Sequence, residues 1–339
     1  MGLDVAVIGA TGAVGEVFMR VASERNFPIR NLRLLASSRS AGKQIEYGGE
    51  LLTVRETNEQ SLEGVDLVFC SASSDVSKTW GPWCREREII MIDDGSAFRM
   101  DDDVPLVIPE VNGNDLNTHN WIISIPNCTT TPLVMALDAM RQVSPIKRVI
   151  AATYQAVSGT GAAAVEELIS QNISLSQGVG VSTPESYPVQ IAQNVLPHVD
   201  DFDEDGFTKE ELKMRNETRK ILHLDDLPFA ATCVRVPVFY GHSEVVHVEF
   251  SSEISLDDLG SALRSQDGLV YDDDQTHYVT PLEAADSDDT FVSRLRLDPS
   301  VENGVVFWCV SDNLRKGAAT NAIQIAESLL ERGILSALS

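Results

Sequence analysis

The segment Ser124-Ile125-Pro126-Asn127-Cys128-Thr129-Thr130-Thr131-Pro132 concentrates the most chemistry in the chain. It lies between an apolar strand-like run and an apolar-periodic helical stretch, which puts Cys128 at or beside a helix N-terminus. There the helix dipole and the unpaired N–H groups favour thiolate over thiol, and the same amides can stabilise a developing oxyanion. A helix capped by Thr129–Thr131 over a small buried cysteine fits the same residues, so the segment alone leaves both readings open. Polar residues recur at the ends of other apolar runs. Gln155 lies in Tyr154-Gln155-Ala156-Val157-Ser158-Gly159, and Arg235 and His242 lie in Val234-Arg235-Val236-Pro237-Val238-Phe239-Tyr240-Gly241-His242-Ser243-Glu244. An arginine in an apolar strand is costly unless paired, and a carboxylate-bearing ligand is one natural partner. A histidine just past the following glycine can exchange protons near neutral pH. His119, His198, His223, His247 and His277 lack such a setting.

A second constellation opens the chain. Gly9-Ala10-Thr11-Gly12-Ala13-Val14-Gly15 follows an apolar strand directly and begins a helix. Gly9 permits a tight turn, Gly12 lets backbone N–H groups approach a pyrophosphate, and Gly15 allows close helix–strand packing. A purely structural strand–helix turn is the alternative. NAD sites usually carry Asp or Glu at the end of the second strand to accept from the ribose 2′-OH. The corresponding segment, Ala36-Ser37-Ser38-Arg39-Ser40-Ala41-Gly42-Lys43, has no carboxylate and offers a guanidinium and hydroxyls suited to a 2′-phosphate. NADP is the dinucleotide it favours, unless Arg39 is a solvated loop charge.

These residues need a scaffold. Short unbroken apolar runs at Val5–Ile8, Leu32–Ala36, Leu67–Ser71, Ile89–Asp93, Leu106–Ile108 and Trp121–Ile125, with a helix at Ala13–Glu24, predict βαβ units of a parallel sheet. From about Lys147 the pattern changes to longer, partly alternating strands at Val149–Val157, Cys233–Phe239, Val245–Ile254, Phe291–Leu297 and Val305–Ser311. These predict a mixed or antiparallel sheet with helices on one face. Helices are expected at Thr130–Arg141, Gly161–Ser170 and Lys209–Leu222. Arg315–Arg332 carries an apolar stripe that could return to cover the first sheet.

Composition narrows the function classes. The 339 residues, 43% of them apolar, suit two globular domains. Twenty-six basic against 51 acidic residues give a net charge of −25, which argues against nucleic acid and anionic membrane as partners. An anionic substrate must then be held by local cations. Five cysteines, widely spaced and without a C-x-x-C pair, indicate neither a disulfide framework nor a metal site. No apolar run is long enough for a spanning helix and no signal sequence is evident, so a cytoplasmic location is expected. Asp201-Phe202-Asp203-Glu204-Asp205-Gly206 begins like a calcium loop but has Leu212 at its twelfth position, and reads as an acidic turn.

Taken together, the motifs resemble those of aspartate-semialdehyde dehydrogenases. They are G-A-T-G-A-V-G near the start, S-S-R-S-A-G-K, S-A-F-R at Ser96–Arg99, P-N-C-T-T around Cys128, Y-Q-A-V-S-G from Tyr154, E-x-x-K at Glu210–Lys213, R-V-P-V-F-Y-G-H-S-E, and D-N-L-R-K-G-A-A-x-N-A from Asp312. The resemblance implies that Cys128 is the acylated nucleophile, that Gln155 orients the thioacyl intermediate and that His242 is the acid/base. Arg235 would clamp the substrate carboxylate and Glu210 would face its ammonium group, while Arg99, Asn127 and Lys213 would hold phosphate. The cofactor would be NADP, bound by Gly9, Thr11, Gly12, Ala13, Val14, Gly15, Arg39, Ser40, Ser158, Gly159 and Asn313. Asp94-Gly95 departs from the family, which more often has Asn and a small hydroxyl residue there; the extra carboxylate could weaken phosphate binding or pair with Arg99.

The implied reaction is the reversible interconversion of L-aspartyl 4-phosphate and L-aspartate 4-semialdehyde with inorganic phosphate, in lysine, threonine, methionine and diaminopimelate biosynthesis. The rivals are a reductase of N-acetyl-gamma-glutamyl phosphate, whose family usually has Gly before its Cys where this chain has Asn127, and a non-catalytic dinucleotide-binding paralogue. The expected fold is α/β: a Rossmann-type parallel-sheet NADP domain at 1–127, completed by a C-terminal helix at 312–339. An α+β catalytic and dimerisation domain with a mixed sheet is expected at 128–311. A homodimer or homotetramer rests on the resemblance alone.

Overall fold

The computed structural model describes residues 2–336; the two ends of the expected first domain, residue 1 and residues 337–339, lie outside the described residues. The chain divides into two compact units, Met1–Asn127 with Ala318–Ser339, and Cys128–Gly317. Residues 312–317, expected to accompany the C-terminal helix, fall in the second unit.

The first unit is built on β1 (Leu3–Ile8), α1 (Ala13–Glu24), β2 (Ile29–Ala36), β3 (Gln44–Tyr47), β4 (Glu50–Thr53), β5 (Arg55–Glu56), α2 (Glu59–Leu62), β6 (Leu67–Cys70), α3 (Ser74–Glu86), β7 (Ile90–Asp93), α4 (Pro109–Asn112) and β8 (Ile122–Ser124). Six strands form a parallel sheet in the order β5-β2-β1-β6-β7-β8. The central strands are buried along their apolar runs, Val5–Ile8 of β1 and all of β6. Helix α1 buries Val17, Phe18, Met19, Val21 and Ala22, and Phe18 stacks on Phe69 of β6 with ring centroids 4.1 Å apart. The order reverses at β1/β6, so the turn after β1 opens at the topological switch point where doubly wound sheets bind ligands. Leu106–Ile108, expected as a strand, makes only an isolated bridge between Leu106 and Ser124. The Val107 N–H donates to the Ser124 carbonyl, but Asn112 Oδ1 accepts the Ile108 N–H and Asn112 Nδ2 donates to the Leu106 carbonyl, so the start of α4 takes groups that a longer ladder would need.

In the second unit, α5 (Thr130–Arg141), β9 (Ile146–Gln155), α6 (Ala162–Ser176), α7 (Lys209–Leu222), β10 (Phe229–Arg235), β11 (His242–Phe250), α8 (Leu256–Ser265), β12 (Leu269–Tyr271), α9 (Pro281–Ala284), β13 (Thr290–Leu297) and β14 (Gly304–Ser311) follow in turn. The mixed sheet runs β10-β9-β11-β14-β13-β12. Helix α5 is buried on every side from Thr130 to Met140, so it is the core helix of this unit. Thr290 Oγ1 meets Met135 of α5, and Cys233 Sγ meets Met214 of α7. The face carrying Thr153, Gln155, Cys233 and Thr290 is therefore the helix-covered one. The opposite face leaves Ile150 and Tyr154 exposed. The strand expected at Cys233–Phe239 ends at Arg235, because Pro237 cannot continue the ladder, and β11 begins at His242, three residues before the expected start. Both residues thus stand at strand ends. The expected single helix at Arg315–Arg332 is a π-helical turn, Arg315–Ala319, followed by α10 (Thr320–Glu331). Within the first unit α10 ties back through Asn321 Nδ2 to the Val107 carbonyl at 2.8 Å and through Glu327 to Arg25 at 2.7 Å.

The β13–β14 connection is held by Asp298. Its carboxylate accepts from Ser300 Oγ at 2.6 Å and from the Ser300 N–H at 2.9 Å, and lies 2.8 Å from His247 Nδ1. The Ser300 hydroxyl first, then His247, hold this carboxyl down at about 2. That lies below the ~3.9 of an unfolded aspartate, so the stabilisation is complete above pH 4 and is lost as pH falls through about 2. Asp298→Asn is expected to lower the denaturation midpoint at pH 7 and to flatten its fall between pH 4 and 2, read by urea unfolding across that range.

Candidate functional site

In the first unit, Gly9 has φ +86°, and a Cβ built on it would stand 1.9 Å from the Ser71 carbonyl oxygen. A Cβ on Gly15 would stand 2.5 Å from the Gly9 carbonyl oxygen. Only glycine lets the turn form and α1 close onto it. Gly12 is the N-cap of α1 and brings no capping side chain, so the first-turn N–H groups are left for another acceptor. Thr11, Ala13 and Val14 are half-buried around it. This loop fits the pyrophosphate of a dinucleotide. Arg39 is exposed on the turn after β2 and has no ion-pair partner among the described residues. Ser40 is half-buried beside it. Arg99 and Asn127 are buried in the same unit. The Arg99 guanidinium donates to the backbone carbonyl of Asp94 at 2.8 Å, while the Asp94 carboxylate accepts from Ser71 Oγ at 2.9 Å. The departure at Asp94 thus engages Arg99 through the main chain.

In the second unit, Cys128 occupies the turn immediately before α5, whose N-cap Thr129 makes no side-chain capping bond. Cys128 is half-buried, whereas Cys70, Cys84, Cys233 and Cys309 are buried. Burial pushes the Cys84 thiol up to about 12 and raises the other three above the ordinary range as well. Gly317 passes so close to Cys128 that a Cβ on it would lie 2.9 Å from the cysteine Cβ.

Strand ends and the loops that leave them bring six of the expected residues to one place. The Ala156 N–H donates to His242 Nδ1 at 3.0 Å, and the Ala156 carbonyl accepts from Arg235 Nη1 at 2.6 Å. Gly159 lies against both: a Cβ there would stand 2.9 Å from His242 Nε2 and 3.0 Å from Arg235 Nη1. Only a residue without a side chain lets imidazole and guanidinium both pack this closely on the loop. Gln155, next to Ala156, is buried and donates to Thr153 Oγ1 at 3.2 Å. Asn313 Oδ1 accepts from Ser158 Oγ at 3.1 Å and from the Gly241 N–H at 3.0 Å, tying the loop after β14 to the residue before His242. Burial first, then the neighbouring Arg235 cation, hold the His242 pKa well below the usual imidazole range, against a weaker opposing pull from the Gly241 carbonyl. The ring is neutral at pH 7.

Glu210 and Lys213 lie one turn apart at the start of α7 and pair with each other at 3.2 Å, with Asp200 a second partner of Lys213 at 2.6 Å. A Thr208/Glu211 capping box fixes this helix start, and Glu211 Oε1 also accepts the Cys233 N–H two residues before Arg235. The acidic segment at Asp201 folds as a turn in which the Asp203 carboxylate accepts the N–H groups of Asp205 and Phe207. Sequence reading missed two features: the Ala156 peptide, because a backbone N–H carries no residue signature, and Glu244. The latter lies within the quoted G-H-S-E motif and is buried on the helix-covered face, where desolvation lifts its carboxyl well above the usual range.

Comparison with known proteins places the chain in a family. Residues 4–119 match the family model described as semialdehyde dehydrogenase, NAD binding domain, and residues 137–316 the one described as semialdehyde dehydrogenase, dimerisation domain. The chain is 46% identical to the aspartate-semialdehyde dehydrogenase of Aquifex aeolicus (strain VF5), over 99% of this chain and 100% of that protein. The crystal structure of aspartate semialdehyde dehydrogenase II from Vibrio cholerae superimposes with a TM-score of 0.95 at 41% identity, covering 98% of this chain and 99% of that one. The structure of that enzyme complexed with ASA gives 0.93 at the same identity and the same coverage. With both domain models matched in order and full-length relatives above 40% identity, the chain belongs to the aspartate-semialdehyde dehydrogenase family.

Proposed function

We propose that this chain interconverts L-aspartyl 4-phosphate and L-aspartate 4-semialdehyde with NADP and inorganic phosphate, through a thioester on Cys128, in amino-acid biosynthesis. The products lead to lysine, threonine, methionine and diaminopimelate, and the setting is the cytoplasm. The observation that carries the reading is the pair His242 Nε2 and Arg235 Nη1 brought together against the bare backbone of Gly159. A proton-handling ring beside a carboxylate-binding fork is what a small anionic carbonyl substrate requires.

In the oxidative direction the Cys128 sulfur attacks the aldehyde carbon, and the carbonyl oxygen takes up negative charge. A bound dinucleotide supplies the hydride acceptor in this direction and the hydride donor in the other. Loss of hydride from the tetrahedral carbon leaves the thioester, with Gln155 orienting the acyl group. A phosphate oxygen then attacks the thioester carbon, the C–S bond breaks, and the acyl phosphate leaves with the thiolate regenerated. Arg235 holds the α-carboxylate, Glu210 faces the ammonium group, and Lys213, Arg99 and Asn127 hold phosphate. Gly9, Thr11, Gly12, Ala13, Val14 and Gly15 take the pyrophosphate, Arg39 and Ser40 the 2′-phosphate, and Ser158, Gly159 and Asn313 the nicotinamide end. The apolar face carrying Ile150 and Tyr154 serves assembly into a homodimer or homotetramer.

The test is to mix the pure protein with NADP, phosphate and aspartate semialdehyde and follow nicotinamide absorbance. Absence of phosphate-dependent reduction, or equal turnover of N-acetylglutamate semialdehyde, refutes the proposal. Arg235→Lys exchanges a planar fork for a point charge and is expected to raise KM for the semialdehyde on the order of 10- to 100-fold, with a smaller change in kcat. Initial rates across substrate concentration check this.

A further inference from the structure

We propose that Glu211 is a positioning residue for substrate binding. Its one carboxylate holds the start of α7, which carries Glu210 and Lys213, against β10, which ends in Arg235, and so sets the span of the substrate grip. The role in binding rests on the function proposed above; the tie between helix and strand stands on geometry.

β10 is the outermost strand of the mixed sheet, and its pairing with β9 uses only alternate backbone groups. The remaining N–H groups point away from the sheet. That of Arg235 donates to the Leu196 carbonyl at 2.8 Å, and the Arg235 carbonyl accepts from the Leu196 N–H at 2.9 Å. Two residues back, the same edge presents the Cys233 N–H, which donates to Glu211 Oε1 at 3.0 Å. A side-chain carboxylate thus stands where a further strand would have placed a carbonyl. Glu211 Oε2 accepts the Thr208 N–H at 2.8 Å, and the Thr208 hydroxyl accepts the Glu211 N–H at 3.3 Å. A capping box needs only one carboxylate oxygen. Engaging the other on a neighbouring element couples the helix start to the strand end.

Helical geometry extends the tie. Residues three apart share a stripe, and each step of one residue turns by about 100°. Glu211 and Met214 therefore share the stripe against β10, where the Met214 sulfur meets Cys233 Sγ at 3.6 Å. Glu210 and Lys213, paired at 3.2 Å, share the stripe beside it. Thr208, Glu210 and Glu211 are all buried, which keeps water from competing for these bonds. The helix start has other holds, the Lys209 N–H on the Asp201 carbonyl at 2.8 Å and Lys213 on Asp200 at 2.6 Å. Those reach the acidic loop, not the strand that carries Arg235. A carboxylate accepts at both oxygens, whereas a glutamine amide has one acceptor oxygen and sets its NH2 against the other N–H in either orientation. Glu211→Gln keeps the size of the side chain and breaks one bond of the tie.

The experiment compares Glu211→Gln with Arg235→Lys and Thr208→Val. It uses initial rates of phosphate-dependent NADP reduction over ranges of both substrates, and amide exchange followed by NMR on the full-length protein labelled with ¹⁵N-cysteine. Glu211→Gln is expected to raise KM for the semialdehyde and for phosphate together, each on the order of 10-fold, with kcat within about 3-fold of the parent. Arg235→Lys moves only the first of these constants, because it leaves α7 where it is. Thr208→Val removes the capping hydroxyl and leaves both carboxylate bonds, so it lowers the thermal midpoint and keeps both KM values within about 2-fold of the parent. The Cys233 amide, identified by its loss in Cys233→Ala, is expected to exchange at least about 10-fold faster in Glu211→Gln. Glu211→Asp, one methylene short of spanning the two N–H groups, shifts the same constants in the same direction and serves if the glutamine variant does not fold. Unchanged KM values in the Glu211 variants, a loss confined to kcat, or equal KM increases in Thr208→Val overturn the proposal. If the parent itself does not reduce NADP with aspartate semialdehyde, the functional reading falls and amide exchange alone decides. Faster exchange at Cys233 confined to the Glu211 variants then keeps the tie, and unchanged exchange overturns it.

Discussion

Cys128→Ala is expected to lower phosphate-dependent turnover by at least about 10⁴-fold, while the thermal midpoint and dinucleotide binding stay close to the parent's. The sulfur is the one protein atom in the proposed mechanism that makes and breaks covalent bonds with the substrate, so no residual group can carry the thioester. Alanine adds no atom against Gly317, whose approach to the Cys128 Cβ leaves no room for a larger side chain at 317. A half-buried side chain that loses one sulfur costs little stability, so activity and fold separate cleanly. The other cysteines supply an internal control. All four are buried, and desolvation keeps each of them a thiol at neutral pH. Under native conditions at pH 7, a thiol-alkylating reagent should therefore label one equivalent in the parent and none in Cys128→Ala. Full turnover by the variant, or labelling spread over several cysteines, would sink the covalent route.

The contrast between what could and could not be read in advance has a physical cause. Cys128, Arg235 and His242 stand out in the sequence because each is an expensive side chain next to apolar runs, and such expense needs a reason. Glu210 and Lys213 pair because three residues on a helix bring side chains to one face. Where chemistry belongs to the backbone, the letters are silent. Any residue but proline at 156 would present the same N–H to His242, and nothing about alanine announces it. Helix α3 was also unreadable, since Ser74–Glu86 contains Gly81 and Pro82, two residues that argue against a helix until tertiary packing overrides them. The apolar run Leu106–Ile108 misled in the opposite direction, its composition being strand-like while the Asn112 side chain takes the Ile108 N–H and the Leu106 carbonyl.

The two strand ends were misplaced for a related reason, and the correction changes the chemistry. An arginine within a ladder would have its guanidinium directed by neighbouring strands. At the last residue of β10, pinned by the Leu196 bridge, Arg235 instead reaches the Ala156 carbonyl beyond the end of β9. Because β10 and β9 are parallel, Arg235 registers with Gln155, and because β11 starts at His242, the three strands terminate together. Paired strand ends thus give the cluster a rigid backbone on one side and mobile-length loops on the other, an arrangement suited to holding donors in fixed directions.

Gly9→Ala tests the other constellation and should have the largest effect on stability. With φ at +86° and the Ser71 carbonyl oxygen 1.9 Å from the new Cβ, both obstacles are backbone, so no side-chain rotation can relieve them. The strained conformation costs roughly 1–2 kcal/mol, and relief of the overlap must push apart β1 and β6, two buried central strands joined in register from Val5 to Ile8. A total on the order of 4 kcal/mol is expected, which corresponds to a fall in Tm of roughly 8–16 °C for a unit of this size. The turn also directs the N-terminus of α1, so NADP should protect the parent against thermal unfolding and protect the variant far less. Thermal scans with and without NADP read both effects. A Gly9→Ala protein that melts with the parent and is equally protected would mean that the turn tolerates a side chain and that its glycine serves neither folding nor phosphate.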